Sequence, residues 1–124
     1  MCQESNSRKF VKTTEDIVVY KQFKYSGGKY TTPYRDAEYI IGKTYKVSLF
    51  MIKLDFFMNN IFKKRTFRIF YGLHSFINCQ NPFNYRNGEF IIPKGSYVNY
   101  GNFAGYDTVV SNALVFKKIK YREI

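Results

Sequence analysis

Residues 17–31 read IVVYKQFKYSGGKYT, and this stretch decides the fold. Ile17 to Tyr25 is β-branched and aromatic, with Val19 and Phe23 on one side of a pleat and Val18 and Tyr20 on the other, which predicts a strand. Ser26-Gly27-Gly28-Lys29 follows, and paired glycines supply the positive φ that a tight hairpin requires. Lys29 to Thr32 is then the return strand, stopped by Pro33. The whole chain carries the same bias. It has 12 Tyr and 13 Phe against four Leu, three Ala and no Trp, so strong helix formers are scarce.

Further along, EYIIGKTYKV reads as short strands with Gly42 at a turn or bulge. Residues 47–62 predict the one long helix, because Val47, Phe50, Met51, Leu54, Phe57, Met58, Ile61 and Phe62 recur at three- and four-residue spacing. KKRTFRIFY, residues 63–71, alternates as a strand entered through a basic cluster. Ser75 is positioned to cap a short helix toward Tyr85, limited by Pro82. Asn87-Gly88 predicts a turn, residues 89–92 a strand, Pro93 to Ser96 another turn, and Thr108 to Ile119 a last strand region with apolar residues on both faces. The fold class expected is α+β: one domain over residues 16–124, dominated by twisted antiparallel strands, with one longer and one short helix behind a flexible lead-in of residues 1–15. At 124 residues there is room for one domain with a real core.

Composition narrows the function classes. A 45% hydrophobic fraction excludes a disordered chain, and a mean hydropathy of −0.36 argues against an integral membrane protein. Residues 47–58 form the longest apolar run, interrupted by Lys53 and Asp55 and too short to span a bilayer, so no membrane partner is expected. Residues 1–16 lack the apolar core of a secretory signal, and Cys2 and Cys79 are the only cysteines, which sets a reducing, cytoplasmic location as the expectation. Fourteen Lys against six Arg, with eleven Ile and ten Asn, fits an AT-rich coding genome such as that of a phage or low-GC bacterium.

The net charge of +11 sets up a field that attracts anionic partners, and the excess sits in residues 17–35, 56–94 and 95–124. Lys63, Lys64, Arg65 and Arg68, with Lys118, Lys120 and Arg122, are the candidate anion- or nucleic-acid-binding residues. GSYVNYGNFAGYD, residues 95–107, repeats an aromatic every third residue, and Tyr97, Tyr100, Phe103 and Tyr106 form a candidate stacking platform. The competing reading packs these rings inward beneath a loop. No metal or cofactor is expected: His74 is the only histidine, no CxxC or HExxH spacing occurs, and no phosphate-cradling glycine loop is present.

Gly72-Leu73-His74-Ser75-Phe76, Ile92-Pro93-Lys94-Gly95-Ser96 and Val110-Ser111, together with Gly42-Lys43-Thr44-Tyr45, resemble a GxHxF … IPKGS … VS pattern of small uncharacterised phage and bacterial proteins, over roughly residues 17–120. The same order is similar to the β-rich ADP-ribosyltransferase core, in which an IPxG strand precedes a late strand bearing a glutamate. That resemblance implies an NAD-linked transferase with His74 and Glu89 near a pocket. The chain departs from it in lacking Ser-Thr-Ser and in a late strand, TVVSNALVF, without ExE or QxE. The expected function is therefore a non-enzymatic accessory protein engaging nucleic acid or an acidic protein. A divergent or inactive transferase-like domain and a structural or assembly subunit are the alternatives, and the oligomeric state is left open.

Overall fold

A computed structural model of the chain describes residues 3–6, 9–26, 29–31, 38–61, 68–78 and 86–120. The strands are β1 (Gln3–Ser5), β2 (Val11–Lys12), β3 (Ile17–Ser26), β4 (Lys29–Thr31), β5 (Glu38–Tyr39), β6 (Thr44–Lys46), β7 (Arg68–Ile69), β8 (Leu73–Phe76), β9 (Arg86–Ile92), β10 (Tyr97–Phe103), β11 (Tyr106–Ser111) and β12 (Ala113–Lys120), and the helix is α1 (Leu49–Asn60). All pairings among the described residues are antiparallel. They run in the order β6-β12-β9-β3-β8-β11-β10-β1-β7, with β2 on β10 and the β4–β5 ribbon on β3. The molecule is thus a small sheet-dominated domain with one helix among the described residues.

The sheet bends over itself, because β11 and β12 are joined through Asn112 alone yet lie four places apart in the strand order. Asn112 holds that corner. Its side-chain oxygen accepts from the Tyr97 N–H at 2.9 Å, its own N–H donates to the Tyr97 carbonyl, and its carbonyl accepts from the Val47 N–H at 3.0 Å. Inside the bend lies the larger core: Val19, Phe23, Phe90, Ile92, Val98, Val109, Leu114 and Phe116. Phe90 stacks on Phe116 at 4.6 Å between ring centroids and Phe23 on Phe116 at 5.3 Å. Val109 faces this core and Val110, one residue on, faces a second core with Ile52, Phe56 and Ile69 beneath α1. Strand alternation makes β11 the wall shared by both.

Four expectations need correction. The N-terminal segment is part of the sheet, since Gln3 is fully buried and its side-chain amide donates to the Asn99 carbonyl and side chain while accepting from Thr108 Oγ1. Thr13, also buried, exchanges backbone hydrogen bonds with the Pro93–Ser96 turn. No helix starts at Ser75: Leu73–Phe76 is β8, paired with β11, and residues 79–85 lie outside the described residues. Asn87-Gly88 is inside β9 rather than at a turn, because Gly88 makes room for a ring: a Cβ there would sit 2.2 Å from Phe23 Cε2. Residues 97–111 form a hairpin rather than a loop. Its two-residue turn, Ala104-Gly105, has φ of 51° and 86°, the doubly positive pattern of a type I′ connection.

Gly88→Ala should therefore cost about 1–3 kcal/mol by displacing Phe23. Ala104→Asn, which relieves a left-handed alanine, should add about 0.4–1 kcal/mol. Urea unfolding followed by circular dichroism measures both.

Candidate functional site

The helix is bounded on the sequence side by Ser48, whose hydroxyl accepts from the Met51 N–H at 3.4 Å. One face, Ile52, Phe56 and Asn60, is buried against the sheet. Asn60 is anchored there by bonds that leave none of its amide idle: Nδ2 donates to the Phe56 and Arg68 carbonyls, and Oδ1 accepts from the Arg68 N–H. Asp55 fixes the side of the helix, accepting from the Tyr71 N–H at 3.1 Å and from Asn59. The opposite face is apolar and uncovered among the described residues. Phe50 is 70% exposed, Phe57 60% and Met58 62%, and Met51, Leu54 and Ile61 are exposed beside them.

This is the stripe whose periodicity predicts the helix. Its spacing revealed the helix correctly, but the face it marks points outward, while the sheet takes the narrower row of Ile52 and Phe56. At typical areas for large side chains the six residues expose roughly 700 Å², more than the largest apolar patch on most monomers and close to the roughly 800 Å² that one side of a standard interface buries. A cavity of about 540 Å³ adjoins the stripe, walled by Phe10, Phe56, Phe57 and Ile61 with Lys9 and Lys53 at its lining. Phe10 meets Phe56 edge to face at 6.4 Å, so the segment before β2 forms the far wall.

Of the basic residues proposed from sequence, Arg68, Lys118 and Lys120 fall among the described residues, and Arg68 lies on a different strand from the other two. Lys63, Lys64, Arg65 and Arg122 lie outside the described residues, and Lys120 ends β12. Arg68 lies on β7, 3.7 Å from Glu4, and Lys118 on β12, 4.0 Å from Glu89, at opposite reaches of the strand order. A bulge after Phe116 brings Lys117 to the same Glu89 carboxylate at 4.0 Å. The aromatic platform is divided by strand alternation. Three-residue spacing puts successive members on opposite faces, so Tyr100 shares a face with Val98 and Val109, whereas Phe103 and its cross-strand partner Tyr106 lie on the other with Tyr97. Tyr106 meets Phe76 edge to face at 6.1 Å.

His74 is buried in β8, its Nε2 3.0 Å from the Phe70 carbonyl, and its own carbonyl accepts from Lys21 Nζ. It does not line the cavity beside α1, and neither does Glu89. Among the described residues no three His, Cys, Asp or Glu side chains gather to hold a metal, and no helix is long and apolar enough to cross a bilayer.

The two faces of α1 should respond differently to truncation. Phe56→Ala should cost about 3–5 kcal/mol, because it opens a void between the helix and Ile69 and Val110. Phe57→Ser should stay within about 0.5 kcal/mol of the parent. Thermal melts of the two variants give the comparison; equal losses would show that Phe57 is covered in solution.

Comparison with known proteins does not add a relative to this picture: no family model, no curated protein and no solved structure matches the chain.

Proposed function

We propose that the chain is a small basic binding protein without catalytic activity of its own, and that its partner is an acidic protein received on the outer face of α1. The observation that carries this reading is the apolar stripe Phe50, Met51, Leu54, Phe57, Met58 and Ile61, standing exposed on a chain of net charge +11. Leaving that surface in water is costly, at about 25 cal/mol per Å² of apolar area, and a partner that covers it recovers the cost. Phe and Met are enriched where proteins meet. The positive field then steers an acidic partner toward the face and disfavours a second copy of the same sign.

Nucleic acid fits the described surface less well. Phosphate recognition calls for convergent cations, and base stacking calls for adjacent rings on one side. Arg68 and Lys118 sit on strands seven places apart in the strand order, and Tyr100 is on the other sheet face from Tyr97, Phe103 and Tyr106. An aliphatic and aromatic helix stripe offers a phosphate backbone nothing to pair with.

Site-specific photocrosslinking tests the reading. A benzophenone amino acid replaces Phe57 in one variant and Val18, exposed on the outer face of β3, in another. The expected result is a protein adduct from position 57 only, with an acidic partner whose purified form binds at least about tenfold more weakly to Phe57→Ser and more weakly in high salt. A nuclease-sensitive adduct, an adduct of two copies of this chain, or equal labelling from both positions would overturn it.

A further inference from the structure

Phe50, Leu54, Phe57 and Ile61 are separated by four, three and four residues. At 3.6 residues per turn that alternation keeps all four within one narrow line down the helix, and Ile61, at the C-cap, retains right-handed helical φ and ψ. All four are exposed. The three-four alternation is the a/d spacing by which one helix packs along another, each knob entering a hole of four residues. The line covers about 17 Å, or three turns. Its two margins differ. Met51 and Met58, seven residues apart, flank it on one side; Lys53 flanks it on the other, where the cavity shared with Lys9 and Phe10 opens beside Phe57 and Ile61.

We infer that the segment received by α1 is an amphipathic helix of the partner, about three turns long, apolar at three-four spacing, with one bulky apolar side chain in the Phe10–Phe57 cavity and carboxylates facing Lys9 and Lys53. The inference rests on the docking role proposed above and deepens it to a recognition mode. The seam selects a helix over an extended strand, because a strand presents alternate residues at about 6.6–6.8 Å and cannot stay in register with side chains at alternating one-turn offsets. The cavity, at about 540 Å³, has room for an aromatic ring and is mostly walled by carbon. The lysines at its lining set the sign of the charge that accompanies the ring. The methionine margin, unbranched and adaptable, accommodates the other flank of the incoming helix without a charge requirement.

Synthetic peptides of about 14 residues test this with the full chain by isothermal titration calorimetry. One carries Leu at three-four spacing with a central Phe and Glu flanks; a second has Lys in place of Glu; a third is the Glu peptide with a central Pro. The Glu peptide should bind in the micromolar range. Lys53→Glu should weaken it about tenfold, and the Lys peptide should recover binding to that variant. Phe57→Asp should abolish binding of every peptide while retaining the parent far-ultraviolet circular dichroism spectrum. The Lys peptide binding the parent as tightly as the Glu peptide, the Pro peptide matching its parent peptide, or the absence of peptide binding would each overturn the inference. So would a Phe57-dependent dimer of the chain in sedimentation, or Phe57-dependent association with phosphatidylglycerol vesicles in place of peptide binding. A position-57 adduct with an acidic protein alongside failure of all three peptides would leave the docking role standing and remove only the helical recognition mode.

Discussion

The bend at Asn112 is the constraint on which the rest of the structure depends. A strand pair joined by one residue has no slack, so β12 must leave the sheet plane where β11 ends, and the two halves of the sheet close on the aromatic stack of Phe23, Phe90 and Phe116. The same residue governs the helix. Its carbonyl takes the Val47 N–H, the next residue is the Ser48 cap, and α1 starts from that fixed point. An amide side chain suits the position because it offers an acceptor to Tyr97 while both backbone groups are already engaged. Replacing it by an aliphatic residue of similar size would leave the Tyr97 N–H to find water at a crowded corner.

Once α1 is pinned at its first residue and again by Asn60 near its last, it has no freedom to roll. The sheet beneath offers Val110 and Ile69, and only a narrow row of the helix can meet them. A helix with apolar residues on two faces must then leave one of them outside. Surface exposure of Phe50, Phe57 and Met58 is thus a direct outcome of where the polar anchors sit, since Asn60 and Asp55 both turn toward the sheet and its following loop. A helix optimised only for its own domain would carry charged residues in that outer row. Here apolar residues fill that row instead.

Much of the sheet was legible in the sequence, and the reasons for the misses are physical. The strand at 17–26, the return strand, the turn at Gly42 and the helix follow from local periodicity and turn chemistry, which short windows contain. Asn87-Gly88 misled because the pair is an excellent turn signal, and only the distant Phe23 explains why glycine is needed in a strand. Ser75 looks like a helix cap until β11 is known to claim its backbone. The aromatics at 97–106 have a three-residue rhythm that belongs to no single face of a strand, and Ala104 hides a turn that asparagine would have announced. At the candidate site the stripe on α1 was visible, but not its direction. Hydrophobic periodicity locates a face without saying whether the chain itself or another molecule covers it.

Gln3 bears on the order of events during folding. Its buried amide bonds to Asn99 and Thr108, separated from it by 96 and 105 positions. β1 pairs with β7 at residues 68–69 and with β10 at residues 101–102, so both of its partners lie far along the chain and every pairing it makes is long-range. Closure through such distant partners gives a high contact order and a correspondingly slow last step. The α1 stripe, by contrast, lies on the contiguous residues 50–61 and is still exposed when folding ends, so the chain offers that apolar surface both before the last step and after it.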